Sequence, residues 1–251
     1  MKNVNSDLAY NHIRRRILNG DYLPGASLIT EELSKEIGVS RTPVRDALRQ
    51  LEVDGLVSIR PRLGASVKQV NLKEFREICE MRVALESHAA GLAAISRSQE
   101  DLAEMEYALQ AMHPLSAKLR EADREDDDVI SALIREDVRF HVAIMTAAKN
   151  DLMKKEIHRL HLINRVVSGP AAMSQGARTE AKATMDANRA SVMAEHESIF
   201  RAISAGDSAA AKHAMGEHIQ SIIDKSVRLM SRAESRVLAR ELSQEEMLYT
   251  I

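Results

Sequence analysis

One cysteine, Cys79, in 251 residues excludes an intrachain disulfide. A chain without cross-links fits a reducing cytoplasm, and Cys79 reads as a small apolar residue on a helix rather than a nucleophile. Tryptophan is absent and aromatics reach only 3%, so the core must be aliphatic, with the twelve Met as flexible filler. No apolar run approaches the ~18 residues needed to cross a bilayer. The N-terminus shows polar residues and Arg14, Arg15 and Arg16 where a secretory signal would show an apolar segment. Charge of one sign is lacking too, with a net charge of −2. Its distribution is uneven: residues 1–70 hold 11 Lys/Arg against 8 Asp/Glu, leaving 24 against 29 for the remainder. A basic head on an acidic body points weakly to DNA.

Breakers are also few, and they are concentrated towards the front. Gly20, Pro24, Gly25, Gly38, Pro43, Gly55, Pro61 and Gly64 all precede residue 65. The length fits two domains. These are a winged helix-turn-helix over 1–70 and an all-α helical bundle over 71–232, followed by a C-terminal tail over 233–251. In the front, a helix over about 6–19 buries Leu8, Ile13, Ile17 and Leu18. A short strand at 27–29 precedes a helix that Thr30 caps and Gly38 stops. A helix over about 41–54 and a hairpin turning at Pro61–Gly64 follow. In the body, Asn71 caps a helix to about 96, and Ser98 caps another that Pro114 interrupts after Met112. The acidic stretch 123–128 reads as a solvated loop. Helices are expected over 129–148, 151–167, 190–204 and 207–236.

The residues 38–52 carry the first functional signal. Gly38 makes a tight turn, Ser40 or Thr42 can satisfy free N–H groups, and Pro43 suits the first turn of a helix. Arg41, Arg45 and Arg49 recur every four residues as a basic stripe, and Val44, Leu48 and Leu51 form an apolar stripe beside it. Such a helix can dock by one face and offer guanidinium groups to guanine O6 and N7, or to phosphates, in the major groove. Arg60, Arg62 and Gly64 lie at the hairpin tip, where a wing meets phosphates or the minor groove. Three exposed arginines alone can equally be solvated side chains; turn, stripe and basic wing in this order favour DNA.

Residues 8–68 resemble the winged-helix head of the GntR superfamily of bacterial regulators. The resemblance runs through Leu33-Ser, Gly38-Val-Ser-Arg-Thr-Pro-Val-Arg-Asp-Ala-Leu48, Gly55-Leu-Val and Gly64-Ala-Ser-Val67. It implies a dimeric operator-binding repressor or activator, with repression the expected sense. It places DNA contacts on Arg41, Thr42, Arg45 and Arg49, with Gly64 at the wing tip; the hairpin reading adds Arg62. Glu31 departs from the pattern: some members carry a basic DNA-contacting residue there, and an acid cannot clamp a phosphate.

The body carries a second signal. Asp137 and His141 lie i, i+4 on one helix face, and His196 and His218 fall on two later helices. Three imidazoles and a carboxylate suit Zn²⁺, Ni²⁺ or Mn²⁺ with positions open to water or a ligand, although any one of these histidines could be a packed or surface residue. Residues from about 72 to 230 look like the FCD ligand-binding domain of the FadR subfamily. The landmarks are Glu80-Met-Arg-Val-Ala-Leu-Glu86, Asp137-x-x-Phe-His141, His196-Glu-x-Ile199, Ala205-Gly-Asp207 and His218. The resemblance implies a divalent metal, zinc first, on Asp137, His141, His196 and His218, with a small organic acid bound beside it. Arg82 can pair with that acid, and Asn164 is a weaker candidate; each can also be ordinary helix polarity. His158 and His161 read as structural or surface residues. Two other functions remain: a metal sensor using the same ligands, and a metal-dependent enzyme with Glu197 as base, which the preceding DNA-reading head and the missing His-Glu-x-x-His arrangement disfavour.

Overall fold

The computed structural model describes residues 4–121, 126–168, 182–225 and 227, apart from the side chains of 127, 164, 165, 167, 168 and 182–185. The chain forms two compact units that do not follow chain order. Among described residues the first holds 4–78, 158–168 and 227, and the second holds 79–121, 126–157 and 182–225.

The first unit begins with α1 (Val4–Asn19), whose Ala9, Ile13 and Ile17 are buried at four-residue spacing. Leu8, expected among them, is exposed. The short β1 (Ser27–Leu28) leads into α2 (Thr30–Ile37). The cap of α2 differs from the expectation: Ile29 occupies the N-cap and Thr30 is already helical. At the other end Gly38 takes φ 76, the left-handed conformation that closes the last turn and that glycine adopts freely. In α3 (Arg41–Val53) Ser40 sits at the N-cap but makes no side-chain capping bond. Glu36 ties α2 to α1, accepting from Arg16 and from the Tyr22 hydroxyl at 3.2 Å and meeting His12 at 2.7 Å.

β2 (Val57–Arg60) and β3 (Gly64–Val67) form the antiparallel wing, pairing Val57 with Val67 and Arg60 with Gly64. β1 adds to the outer edge of β3, giving the order β1-β3-β2. The core beneath is aliphatic: Ile13, Leu33, Val44, Leu48, Leu51, Leu56 and Val67. Leu162 and Val166 join it from the far end of α7 (Asp151–Ser168), a contribution the sequence pattern did not announce. Gly55 makes this docking possible: its φ is 80, and a Cβ there would lie 2.7 Å from Ile163 Cδ1.

The second unit is all helical. α4 (Leu72–Ser96) enters it at Cys79 and buries a stripe of small residues, Ala89, Ala90, Ala93 and Ala94. Asn71 caps α4 by accepting from Glu74 N at 2.9 Å. α5 (Gln99–Glu121) starts with a reciprocal cap between Ser98 and Asp101. Pro114 does not end this helix, contrary to expectation. Pro114 and Gln110, the residue whose carbonyl loses its donor, are both exposed, so water can serve that carbonyl. Met105, Leu109, Met112 and Leu119 continue the buried stripe past the proline.

α6 (Asp127–Ala147) starts inside the expected loop, because the Asp126 carboxylate accepts from Asp128 N and Val129 N. Residues 122–125 lie outside the described residues. α8 (Lys182–Ala205) starts eight residues earlier than 190. α9 covers 208–225 and is capped by Asp207, which accepts from Ala210 N at 2.9 Å. The tail over 233–251 lies outside the described residues. Among the described residues no helix is long and apolar enough to cross a membrane.

Candidate functional site

In the second unit three helices each deliver one imidazole to a common point. His141 comes from α6, His196 from α8 and His218 from α9, and all three are buried. One nitrogen of each lies within 4.8 Å of the others. The ring centroids of His141 and His218 stack at 5.2 Å, and His196 stands 4.6 Å from His218. Phe140 closes one side, 4.9 Å from the His196 ring. Asp137, one turn before His141, brings Oδ1 to 3.5 Å from His196 Nε2 while its side chain stays 39% exposed. The three expected imidazoles therefore meet, and the expected carboxylate, Asp137, approaches one of them.

The electrostatics favour a neutral His196. Burial first, then the neighbouring His218, depress His196 to about 3, so at neutral pH it is an uncharged donor of lone pairs. His218 Nδ1 lies 2.9 Å from Glu195 Oε2. A carboxylate can only accept there, so Nδ1 carries the proton, and whenever the ring is neutral its lone pair lies on Nε2. Glu195 in turn accepts from the hydroxyls of Ser191 at 2.7 Å and Ser221 at 3.2 Å. Burial pushes its carboxyl up, but the bonds from His218 and Ser191 outweigh this and hold it below its usual value. Both His196 nitrogens and His218 Nε2 are buried without a protein hydrogen-bond partner. A converging set of imidazole nitrogens, one ring oriented by a carboxylate behind it, is the donor arrangement that holds a divalent ion.

On α4 a second polar group adjoins this one. Arg82 Nε donates to Glu86 Oε1 at 2.8 Å, with both side chains at most 3% exposed. Glu86 Oε2 is 3.7 Å from His141 Nδ1, so the carboxylate stands between the guanidinium and the imidazoles. Arg82 Nη1 is buried with no protein hydrogen-bond partner. The other expected acid-binding residue, Asn164, has a side chain outside the described residues. His158 is exposed and His161 half-buried. Cys79 is buried, which pushes its thiol up to about 11 and leaves it unreactive at neutral pH.

Glu86 and Glu195 were missed as parts of the site. Arg82 and Glu86 are spaced i, i+4, a signal that also describes countless surface pairs. Glu195 precedes His196 directly and so leaves the helix about 100° away from it; only α9 packed alongside gives it His218 as a partner.

In the head, Arg41, Thr42, Arg45 and Arg49 are exposed on α3, opposite Val44, Ala47, Leu48 and Leu51. Arg41 pairs with Glu31 of α2 at 2.9 Å, and Arg49 faces Asp46 at 3.8 Å. At the wing tip Arg62 has φ 67 and Gly64 φ 89.

Residues 5–67 match the family described as bacterial regulatory proteins, gntR family, and residues 77–221 match the FCD domain. The chain belongs to the GntR family and carries an FCD domain. The HTH-type transcriptional regulator LutR of Bacillus subtilis (strain 168) is 30% identical to this regulator over 227 residues, 83% of this chain and 94% of LutR. The HTH-type transcriptional repressor RspR of Escherichia coli (strain K12) is 26% identical over 233 residues, 92% of each chain. Among solved structures, E. coli McbR/YncC matches this GntR regulator with a TM-score of 0.70 at 23% identity, over 90% of this chain and 98% of that one, a likeness of fold. These relatives are transcriptional regulators, not enzymes, so the GntR protein described here is a transcriptional regulator and the metalloenzyme alternative falls.

Proposed function

We propose that this regulator is a homodimeric repressor whose grip on operator DNA is set by a small organic acid bound beside a divalent metal, zinc before nickel or manganese. In this reading the head over 1–70 binds DNA through Arg41, Thr42, Arg45 and Arg49 of α3 and through Arg62 and Gly64 of the wing. The body over 71–232 senses the acid. His141, His196 and His218 would hold the metal with Asp137, and Glu195 would fix the tautomer of His218. A bound divalent ion supplies positive charge and open coordination positions for a carboxylate. Arg82, held in place by Glu86, would take the acid with Nη1 or, after local rearrangement, with more of its fork; Asn164 is the second candidate. RspR bears the name of a repressor, which supports the same sense here. Two heads on one dimer suit two operator half-sites.

The observation that carries the reading is the convergence of three buried imidazoles with Glu195 behind one of them. The test is metal content together with thermal shift. Freshly purified protein should hold near-stoichiometric divalent metal, and His196→Ala should lose it. A panel of carboxylates and sugar acids should contain one that raises Tm only when the metal is present. Stabilisation by metal but by no acid would favour a metal sensor. No metal after purification or soaking would end the metal reading. For the head, Arg45→Ala should abolish specific operator shifts with the fold intact, and unchanged shifts would refute the assignment of α3.

A further inference from the structure

Glu31 stands in the first turn of α2, and Arg41 opens α3 across the turn. Glu31 Oε2 lies 2.9 Å from Arg41 Nη2, with side chains 51% and 60% exposed. The other oxygen, Oε1, lies 3.2 Å from Lys35 Nζ. Exposed ion pairs contribute little to stability, and the head does not need this one. Leu33 anchors α2 in the core, Glu36 ties it to α1, and Val44, Leu48 and Leu51 seat α3. An acid on a DNA-reading face also opposes phosphate binding. What the pair offers instead is a preferred orientation for the guanidinium. A free arginine samples many rotamers, whereas reading guanine O6 and N7 demands a planar fork held in one orientation. Arg49, by contrast, faces Asp46 of its own helix at 3.8 Å.

We propose that Glu31 is a positioning residue that orients Arg41 for base reading and, by repelling phosphate, keeps Arg41 from settling on the DNA backbone. The proposal rests on α3 being the reading helix. It gives the acid a role at a position where a basic side chain would serve as a phosphate clamp.

The experiment selects binding sites from a random duplex library with the full-length wild type, Glu31→Ala, Glu31→Gln, Arg41→Ala and the double alanine variant. Arg41→Ala should erase the preference at one base of each half-site. Glu31→Ala should weaken the preference at that same base by about fivefold to tenfold, the lower range of what one bidentate contact supplies. The double variant should match Arg41→Ala, and Glu31→Ala should bind random duplex more tightly than wild type. Glu31→Gln, which keeps an acceptor at the same reach, should retain the preference that Glu31→Ala loses. A Glu31→Ala motif identical to wild type, or altered only at other bases, would overturn the proposal and leave α3 as the reading helix. A wild type that selects no motif would overturn the DNA-reading assignment itself, and this proposal with it.

Discussion

Glu195 tests the candidate metal centre without touching any ligand. Its carboxylate accepts from His218 Nδ1 at 2.9 Å and from the hydroxyls of Ser191 and Ser221 at 2.7 and 3.2 Å. Through the first bond it fixes which nitrogen of His218 is bare, and through the other two it is itself held still. Removing such a partner usually weakens metal affinity about 10- to 100-fold, or ~1.4 to ~2.7 kcal/mol. Glu195→Gln keeps an oxygen that can accept from Nδ1 and loses only the charge, so it belongs at the tenfold end. Glu195→Ala leaves a buried N–H without an acceptor and belongs at the hundredfold end, with a further ~1–3 kcal/mol lost from folding. Competition against a chromogenic chelator measures zinc affinity, and a melting curve of each metal-free variant separates the folding loss. His218→Ala sets the scale for complete loss of a ligand. If Glu195→Ala bound zinc within about twofold of wild type while His218→Ala failed to bind, Glu195 would not be orienting the imidazole, and the reasoning from tautomer to affinity would be wrong.

Three further expectations concern the framework. Gly55→Ala forces a left-handed φ of 80 on alanine and puts a methyl 2.7 Å from Ile163 Cδ1; the backbone alone costs ~1–2 kcal/mol, a fall in Tm of several degrees by calorimetry, and an unchanged Tm would show that α7 is not seated there. Leu51→Ala, fully buried in the head, should cost ~2–5 kcal/mol and reduce operator binding through loss of the folded head, while a variant as stable as wild type in urea would refute the core described. Burial raises the Asp101 carboxyl, yet bonds from Lys149 and Ser98 outweigh it and leave it lowered. Its contribution is therefore present above the ordinary aspartate pKa of about 3.9 and lost as pH falls through the folded value. Below pH ~4 the stability of Asp101→Asn should fall less steeply than that of wild type, and parallel curves would contradict the shift.

The fold class was legible because its signals are local. Breakers crowded before residue 65, the four-residue spacing of Ile13 and Ile17, and Gly38 at its left-handed position each follow from the chain alone. The four candidate ligands stood out through the resemblance to FCD domains, since their spacing alone is a weak signal. What failed depended on neighbours distant in sequence. Pro114 looks like a stop until the exposure of Gln110 and the burial of Met112 and Leu119 are known. Thr30 is a better cap by chemistry than Ile29, but β1 and the packing of Leu33 fix where α2 starts. The part of α7 that enters the head core carries the same 3.6-residue apolar pattern whether it packs on its own bundle or on Leu51 and Leu56, so periodicity could not assign it.

The energetics of the buried cluster argue that it is there for binding. A helical bundle gains most from aliphatic side chains at its centre, as at Ile144, Ile199 and Ile219 nearby. At His141, His196 and His218 the same interior holds imidazoles instead. His196 and His218 include nitrogens without protein hydrogen-bond partners, each such group costing ~1–3 kcal/mol. Arg82 and Glu86 add an ion pair at the same depth, where desolvation can exceed the attraction between charges. Leucine or methionine at these positions would give a more stable body. A set of substitutions that weakens folding at five positions, on four helices and aimed at one region, has no stabilising rationale in the protein alone. It acquires one when a ligand that binds only the folded state returns the difference by mass action. Metal-free protein should therefore melt well below the zinc-loaded form, and replacing His196 and His218 together by Leu should raise the metal-free Tm while abolishing the response to zinc. A double variant that melts lower than metal-free wild type would show that the imidazoles serve packing.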